Sequence, residues 1–212
     1  MAGESWGHLA GRFFGTLRPG GPSPEDGAWV ETILEPAEYA LWARQPGHDR
    51  RHTAGVARQV EAALAGGPHA GDSRWPACAL LHDIGKLASG LSIPHRVLAT
   101  LAGRATGGAL RDPGDGGCPP DRGAVRRQSP GAGGCPPDKG AVRRQRWEEH
   151  RGLRRRIALY LRHPELGADM IRMAGGRDEV AHWAGAHHDR ARLDPTLMPA
   201  PVVSALVAAD ND

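Results

Sequence analysis

The chain has 212 residues, of which 40% are hydrophobic, with 30 Gly, 18 Pro, three Cys and a formal net charge of +3. This length suits one domain with an appendage, the apolar fraction can support a core, and the Gly and Pro content excludes an uninterrupted helical rod. Three Cys give no disulfide framework, no apolar stretch approaches the ~20 residues of a membrane span, and no basic-then-apolar leader opens the sequence, so a cytoplasmic protein outside the membrane is expected.

In chain order, residues 1–28 read as a flexible N-terminal segment. Within it Trp6, Leu9, Phe13, Phe14 and Leu17 recur at spacings of three and four, which allows one short amphipathic helix. Helices are predicted over Trp29–Leu34 and Pro36–Arg44, the second with proline in its first turn. His48–Leu64 is a longer helix whose face carries His52, Val56, Val60 and Ala63, so His52 points toward the core. Trp75–Leu87 is an apolar helix, and Leu91–Leu101 a helix broken early by Pro94. Beyond it, Gly152–Leu161 is basic and amphipathic, and Pro164 opens a new helix with His163 near its cap. Arg177–His187 follows, and Pro201 opens the last helix, where Asp210 shares a face with Leu206 and Val203. No alternating strand pattern occurs, so the fold class is all-α, with the bundle over 29–212.

The interval 104–146 departs from this pattern. The segment from Gly116 to Gln128 recurs from Gly133 to Gln145 at a period of 17 residues, with Arg122 replaced by Lys139. Few apolar groups offset its ordering entropy, so a disordered duplicated insert between two core helices is expected. Between Asp112 and Arg146 seven Lys/Arg stand against four Asp, which accounts for the whole net charge. The remainder carries no basic stripe of the nucleic-acid-binding kind, and contact with nucleic acid is expected at most through Arg126, Arg127, Arg143 and Arg144. Cys118 and Cys135 lack the paired spacing of a metal site.

The most informative residues are His82 and Asp83. They close the apolar run Ala77-Cys78-Ala79-Leu80-Leu81, where an unpaired carboxylate would cost several kcal/mol, on the order of the penalty for burying a charge. A divalent cation suits both side chains at once; a buried, hydrogen-bonded His–Asp pair is the plain alternative. His52 stands upstream, and His163, the pair His187-His188, and Asp210 stand downstream. His48, Arg51 and Arg190 are weaker candidates, better read as a capping residue and surface charges.

This order of residues, from His52 to Asp210, resembles the HD-domain superfamily of metal-dependent phosphohydrolases. The resemblance implies an HD-domain helical bundle in which His52, His82, Asp83 and Asp210 hold a first divalent metal. It also implies that His163, His187 and His188 complete a second metal site, with Asp83 between the two. One or two such ions would generate a metal-bound hydroxide and clamp the oxygens of a small phosphoester or nucleotide. Asp83 and Lys86 are the implied catalytic residues, Lys86 lying one turn beyond His82. The Asp-Gly-x-Gly-Tyr-Pro motif of the cyclic-dinucleotide branch is replaced here by Asp189-Arg-Ala-Arg-Leu-Asp-Pro195, so that substrate class is not implied. No synthetase motif precedes the domain, and a stand-alone protein is expected. A module that keeps metal for stability without turnover is the competing expectation.

Overall fold

The computed structural model describes residues 20–105 and 152–211, and among them every regular element is helical. These are α1 (Pro24–Ile33), α2 (Pro36–Ala43), α3 (Gly47–Leu64), α4 (Arg74–Leu81), a 3-10 helix (Ile84–Ser89), α5 (Ile93–Ala105), α6 (Leu153–Leu161), α7 (His163–Ala174), α8 (Asp178–Ala186), a short 3-10 turn (Arg190–Arg192) and α9 (Ala200–Asn211). The expected all-α class is what the chain adopts. None of these helices is long and apolar enough to cross a membrane. The amphipathic pattern of residues 6–17 and most of the repeat-bearing interval lie outside the described residues.

Local chemistry sets the first boundaries. Ser23 Oγ accepts the backbone N–H of Asp26, and Pro24 occupies the first turn, so α1 begins five residues before the predicted Trp29. The last residues of the 1–28 segment are therefore helical. Glu35 and Glu38 form a capping box ahead of α2. In α3 the buried face runs through Val56, Val60 and Leu64, while Ala63, predicted on that face, is exposed. Pro94 sits in the first turn of α5, where it needs no partner for a missing N–H, and does not break it.

The core centres on α4. All eight residues from Trp75 to His82 are buried, and α4 is enclosed by α3, α8 and α9, with α1 and α2 also against it. Burying each large side chain here contributes roughly 1.5–3 kcal/mol. Trp42 Nε1 donates to Thr53 Oγ1 at 3.1 Å and fixes α2 against α3 one residue from His52.

The prediction for α4 is corrected as well. The helix expected over Trp75–Leu87 stops at Leu81; Asp83 takes φ −100° and ψ 6°, and the chain continues as the 3-10 helix. The cause is tertiary. Gly85 passes so close to the start of α7 that a Cβ there would lie 1.9 Å from the His163 carbonyl oxygen and 2.6 Å from the Gly167 nitrogen. Continuing α4 as a straight α-helix would forfeit this backbone contact, which glycine alone permits.

Candidate metal centre

The junction after α4 points His82 and Asp83 into the space enclosed by α3, α7, α8 and α9. His52 arrives from α3, His163 from the first turn of α7, His187 and His188 from the end of α8, and Asp210 from α9. All seven residues expected to ligate metal therefore meet in one place. Six of them form two groups, His52-His82-Asp83 and His163-His187-His188, each with its candidate ligand atoms within 4.8 Å of one another.

Asp83 stands between the groups. Its Oδ2 is 3.2 Å from His82 Nε2, while its Oδ1 is 3.2 Å from His163 Nε2 and 4.0 Å from His187 Nε2. Asp210 Oδ1 lies 3.3 Å from His82 Nε2 on the other side. His163 Nε2 and His188 Nε2 are 3.3 Å apart. Lys86 Nζ pairs with Asp83 Oδ2. Of the weaker candidates, His48 Nε2 lies 3.1 Å from Asp49 Oδ1 and Arg51 Nη1 donates to the Gly20 carbonyl, contacts that lie outside the two groups.

Three of the rings share a device that the sequence reading missed. His82 Nδ1–H donates to the Ala79 carbonyl at 2.8 Å, His163 Nδ1–H to Tyr160 at 2.8 Å, and His187 Nδ1–H to Ala184 at 2.9 Å. Each acceptor is three residues earlier, at a helix end whose last carbonyls have no intrahelical partner. With Nδ1 committed to donation, each Nε2 is left to face the centre, where a neutral ring presents its lone pair. Metal-binding histidines are oriented in this way by their outer hydrogen bond.

The residues fit a cation on two observations. His187 Nε2 is buried without a hydrogen-bond partner although its side chain is only 2% exposed; such an orphan asks for an ion or a donor. The donor spacings of 3.2–3.3 Å are also close to the edge of a tetrahedron of ligands about one ion, roughly 3.3–3.6 Å for ligand distances of about 2.0–2.2 Å. Imidazole and carboxylate together suit borderline divalent ions such as Zn, Fe, Mn or Co.

Electrostatics agree. Burial disfavours charge on His82, but the Asp83 and Asp210 carboxylates overcome it and push this ring up to about 10. Burial likewise opposes the Asp83 charge, and His82 and Lys86 overcome it, holding the carboxyl well below its ordinary range. Burial, then the charge of His82, pushes His52 down to about 4 and His187 down to about 2. These shifts favour neutral rings at His52 and His187, the state in which imidazole binds a metal, and a charged His82 ring between two carboxylates while no metal is bound.

Comparison with known proteins finds no matching family model, no matching curated protein and no matching solved structure. What the protein does must be argued from the centre itself. Buried His and Asp groups able to hold a metal ion lie at the heart of the bundle, and their burial is graded. His82, His163 and the ring of His187 form a buried floor, whereas His52 is partly exposed and His188 exposed, so the centre opens on the side of those two residues.

Proposed function

We propose that this protein is a metal-dependent phosphohydrolase acting on a nucleotide or another small phosphoester. The observation that carries the reading is Asp83, one carboxylate whose two oxygens face two separate histidine groups, as a residue shared by two ions would. The order of these residues along the chain, and its resemblance to the HD-domain phosphohydrolases, support the same reading. His52, His82, Asp83 and Asp210 would hold one divalent ion, and His163, His187 and His188 with Asp83 a second. Bound there, divalent metal supplies Lewis-acid polarisation of a phosphoryl oxygen and an activated water at neutral pH.

The chain's own residues do the rest. The carbonyls of Ala79, Tyr160 and Ala184 lock three rings, so the ligands are in place before substrate arrives. Asp83 is oriented by His82, His163 and Lys86 together. Lys86, its side chain 23% exposed, sets an ammonium at the edge of the centre, where it can neutralise a phosphoryl oxygen without leaving Asp83. The apolar wall of α4 excludes water from behind the site, which strengthens every charge interaction in front of it.

The test is elemental analysis of the purified protein and of Asp83→Ala, each then assayed for hydrolysis of p-nitrophenyl phosphate and a nucleotide panel with Mn or Fe. One to two equivalents of metal with turnover, both lost in Asp83→Ala, is the expected result. Metal without turnover on any phosphoester would favour the non-catalytic, metal-stabilised module. An Asp83→Ala protein that kept both metal and turnover would overturn the proposal.

A further inference from the structure

His163 is the ring on which the second histidine group turns. Its Nε2 lies 3.2 Å from Asp83 Oδ1 and 3.3 Å from His188 Nε2, so it meets both the shared carboxylate and the exposed end of the group. Among the described residues three rings pack against it, with centroids 5.1 Å away for His188 and 5.6 Å for both His187 and Tyr160. Of the three, only Tyr160 has no ring nitrogen to offer an ion. Its ring is tilted by 33° to that of His163, and its backbone carbonyl is the one that accepts His163 Nδ1–H.

The phenol is held in turn by α5. Tyr160 Oη and Thr100 Oγ1 are 3.3 Å apart. Thr100 donates its own hydroxyl proton to the Arg96 carbonyl at 3.0 Å, so Tyr160 O–H is the donor in this pair. The helix that supplies the acceptor is fixed on both sides. Arg96 grips Asp49 of α3 at 2.8 and 2.9 Å, and a Cβ on Gly103 would lie 2.7 Å from Leu161 Cδ2 of α6.

A metal-binding imidazole needs more than one restraint. The Nδ1 bond holds one edge of the His163 ring, but the torsion that turns an aromatic ring about its Cβ is broad. His187 has a comparable arrangement, with the Trp183 ring one turn earlier on the same helix at 6.2 Å. Trp183 is only 2% exposed, so core packing holds it. Tyr160 is half-buried and has the Thr100 tether instead.

We propose that Tyr160 is the positioning residue for His163, and that through it α5 sets the affinity of the second ion. The inference rests on the two-ion centre proposed above. His52, His82 and Asp210, which with Asp83 would hold the first ion, come from α3, the end of α4 and α9, and have no part in the chain from Thr100 to His163.

Titration of the full-length, metal-free protein with Mn, the free ion followed by electron paramagnetic resonance, tests this without any assay of turnover. The wild-type chain should take up two equivalents. Tyr160→Leu should weaken the second about 10–100-fold, the usual cost of losing an outer partner of a metal ligand, and leave the first within about twofold. Tyr160→Phe and Thr100→Val remove the same hydrogen bond. Each should weaken the second equivalent about two- to fivefold, and the double variant no more than either single. These two conservative variants keep the test decisive if Tyr160→Leu folds poorly. A single equivalent in the wild type, equal weakening of both equivalents, an unchanged second equivalent in Tyr160→Leu, or a double variant whose effect is the product of the singles would each overturn the proposal. The expected pattern in a protein that hydrolyses no phosphoester would uphold the positioning role and remove only the hydrolase reading.

Discussion

A histidine near the end of a helix carries two nitrogens and, three residues back, a carbonyl in need of a donor. His82, His163 and His187 all resolve this in the same way, and the choice of tautomer follows from helix geometry before any ion is present. The histidines themselves were legible because charged or polar groups in an apolar run need an explanation. The carbonyls were not, because backbone acceptors leave no trace in residue identity; only the position of each ring at a helix end hinted at them.

The same residues predict how the metal-free protein responds to pH. His52 at about 4 and His187 at about 2 bind protons less readily than an unfolded histidine at 6.5. Their contribution is present above pH 6.5 and is lost as pH falls toward those values. His82 has the opposite sign: raised to about 10, it stabilises below 6.5 and loses that effect as pH rises through 10. In excess chelator the melting temperature should therefore fall between pH 6.5 and 5, and it should fall less in His52→Gln. Equal slopes in the two proteins would refute this account. Metal affinity should weaken as pH falls through the same interval, since the His82 ring, charged in the metal-free protein, must release its proton to bind.

At the scale of elements, the break between α4 and the 3-10 helix decides whether two histidine groups can share one carboxylate. In a continuous α-helix, adjacent side chains diverge by roughly 100°. The turn at Asp83 and the passage of Gly85 over α7 bring its carboxylate to His163. Periodicity alone predicted helix through to Leu87, since Ile84 and Leu87 fit the apolar pattern and nothing local signals a backbone contact with residue 163. Gly85 was the sole clue. Gly85→Ala should force the 3-10 helix and α7 apart, costing about 1–3 kcal/mol or more by the usual measure of overpacking. It should lower the melting temperature and reduce metal content, measured by calorimetry and elemental analysis. A variant with native stability and full metal would show that the close approach is not what aligns Asp83.

For the whole molecule, one buried ion pair ties distant parts together. Glu38, fully buried on α2, accepts the Arg177 backbone N–H and its guanidinium, and Arg177 also reaches Ser73 Oγ and the Ile33 carbonyl. Burial alone would raise the Glu38 carboxyl, but Arg177 prevails and holds it below its ordinary 4.5. Its stabilising effect is thus present above pH 4.5 and lost as pH drops through the lowered value. Glu38→Gln should cost about 3–5 kcal/mol at neutral pH, because it leaves Arg177 buried without its charge partner. It should also flatten the acid limb of the stability curve below pH 4.5, and an unchanged limb would exclude Glu38 as its source. No feature of the sequence announced a pair separated by 139 positions. The all-α class, by contrast, was readable from periodicity and proline placement throughout.

The repeat-bearing interval belongs to this scale too. Removing residues 112–146 should leave cooperative unfolding and metal content as they are, checked by calorimetry and elemental analysis; loss of either would give the interval a structural role.

The interval also divides the ligands. His52, His82 and Asp83 precede it, and His163, His187, His188 and Asp210 follow it. Across that division His163 and Asp83 meet, Asp210 meets His82, and Arg156 Nε donates to the Ser89 carbonyl. Cutting the chain between residues 106 and 151 would thus yield two fragments, each bearing an incomplete set of ligands that the other completes. The bound ions would act as a clasp between them, and covalent continuity would matter less than a shared metal.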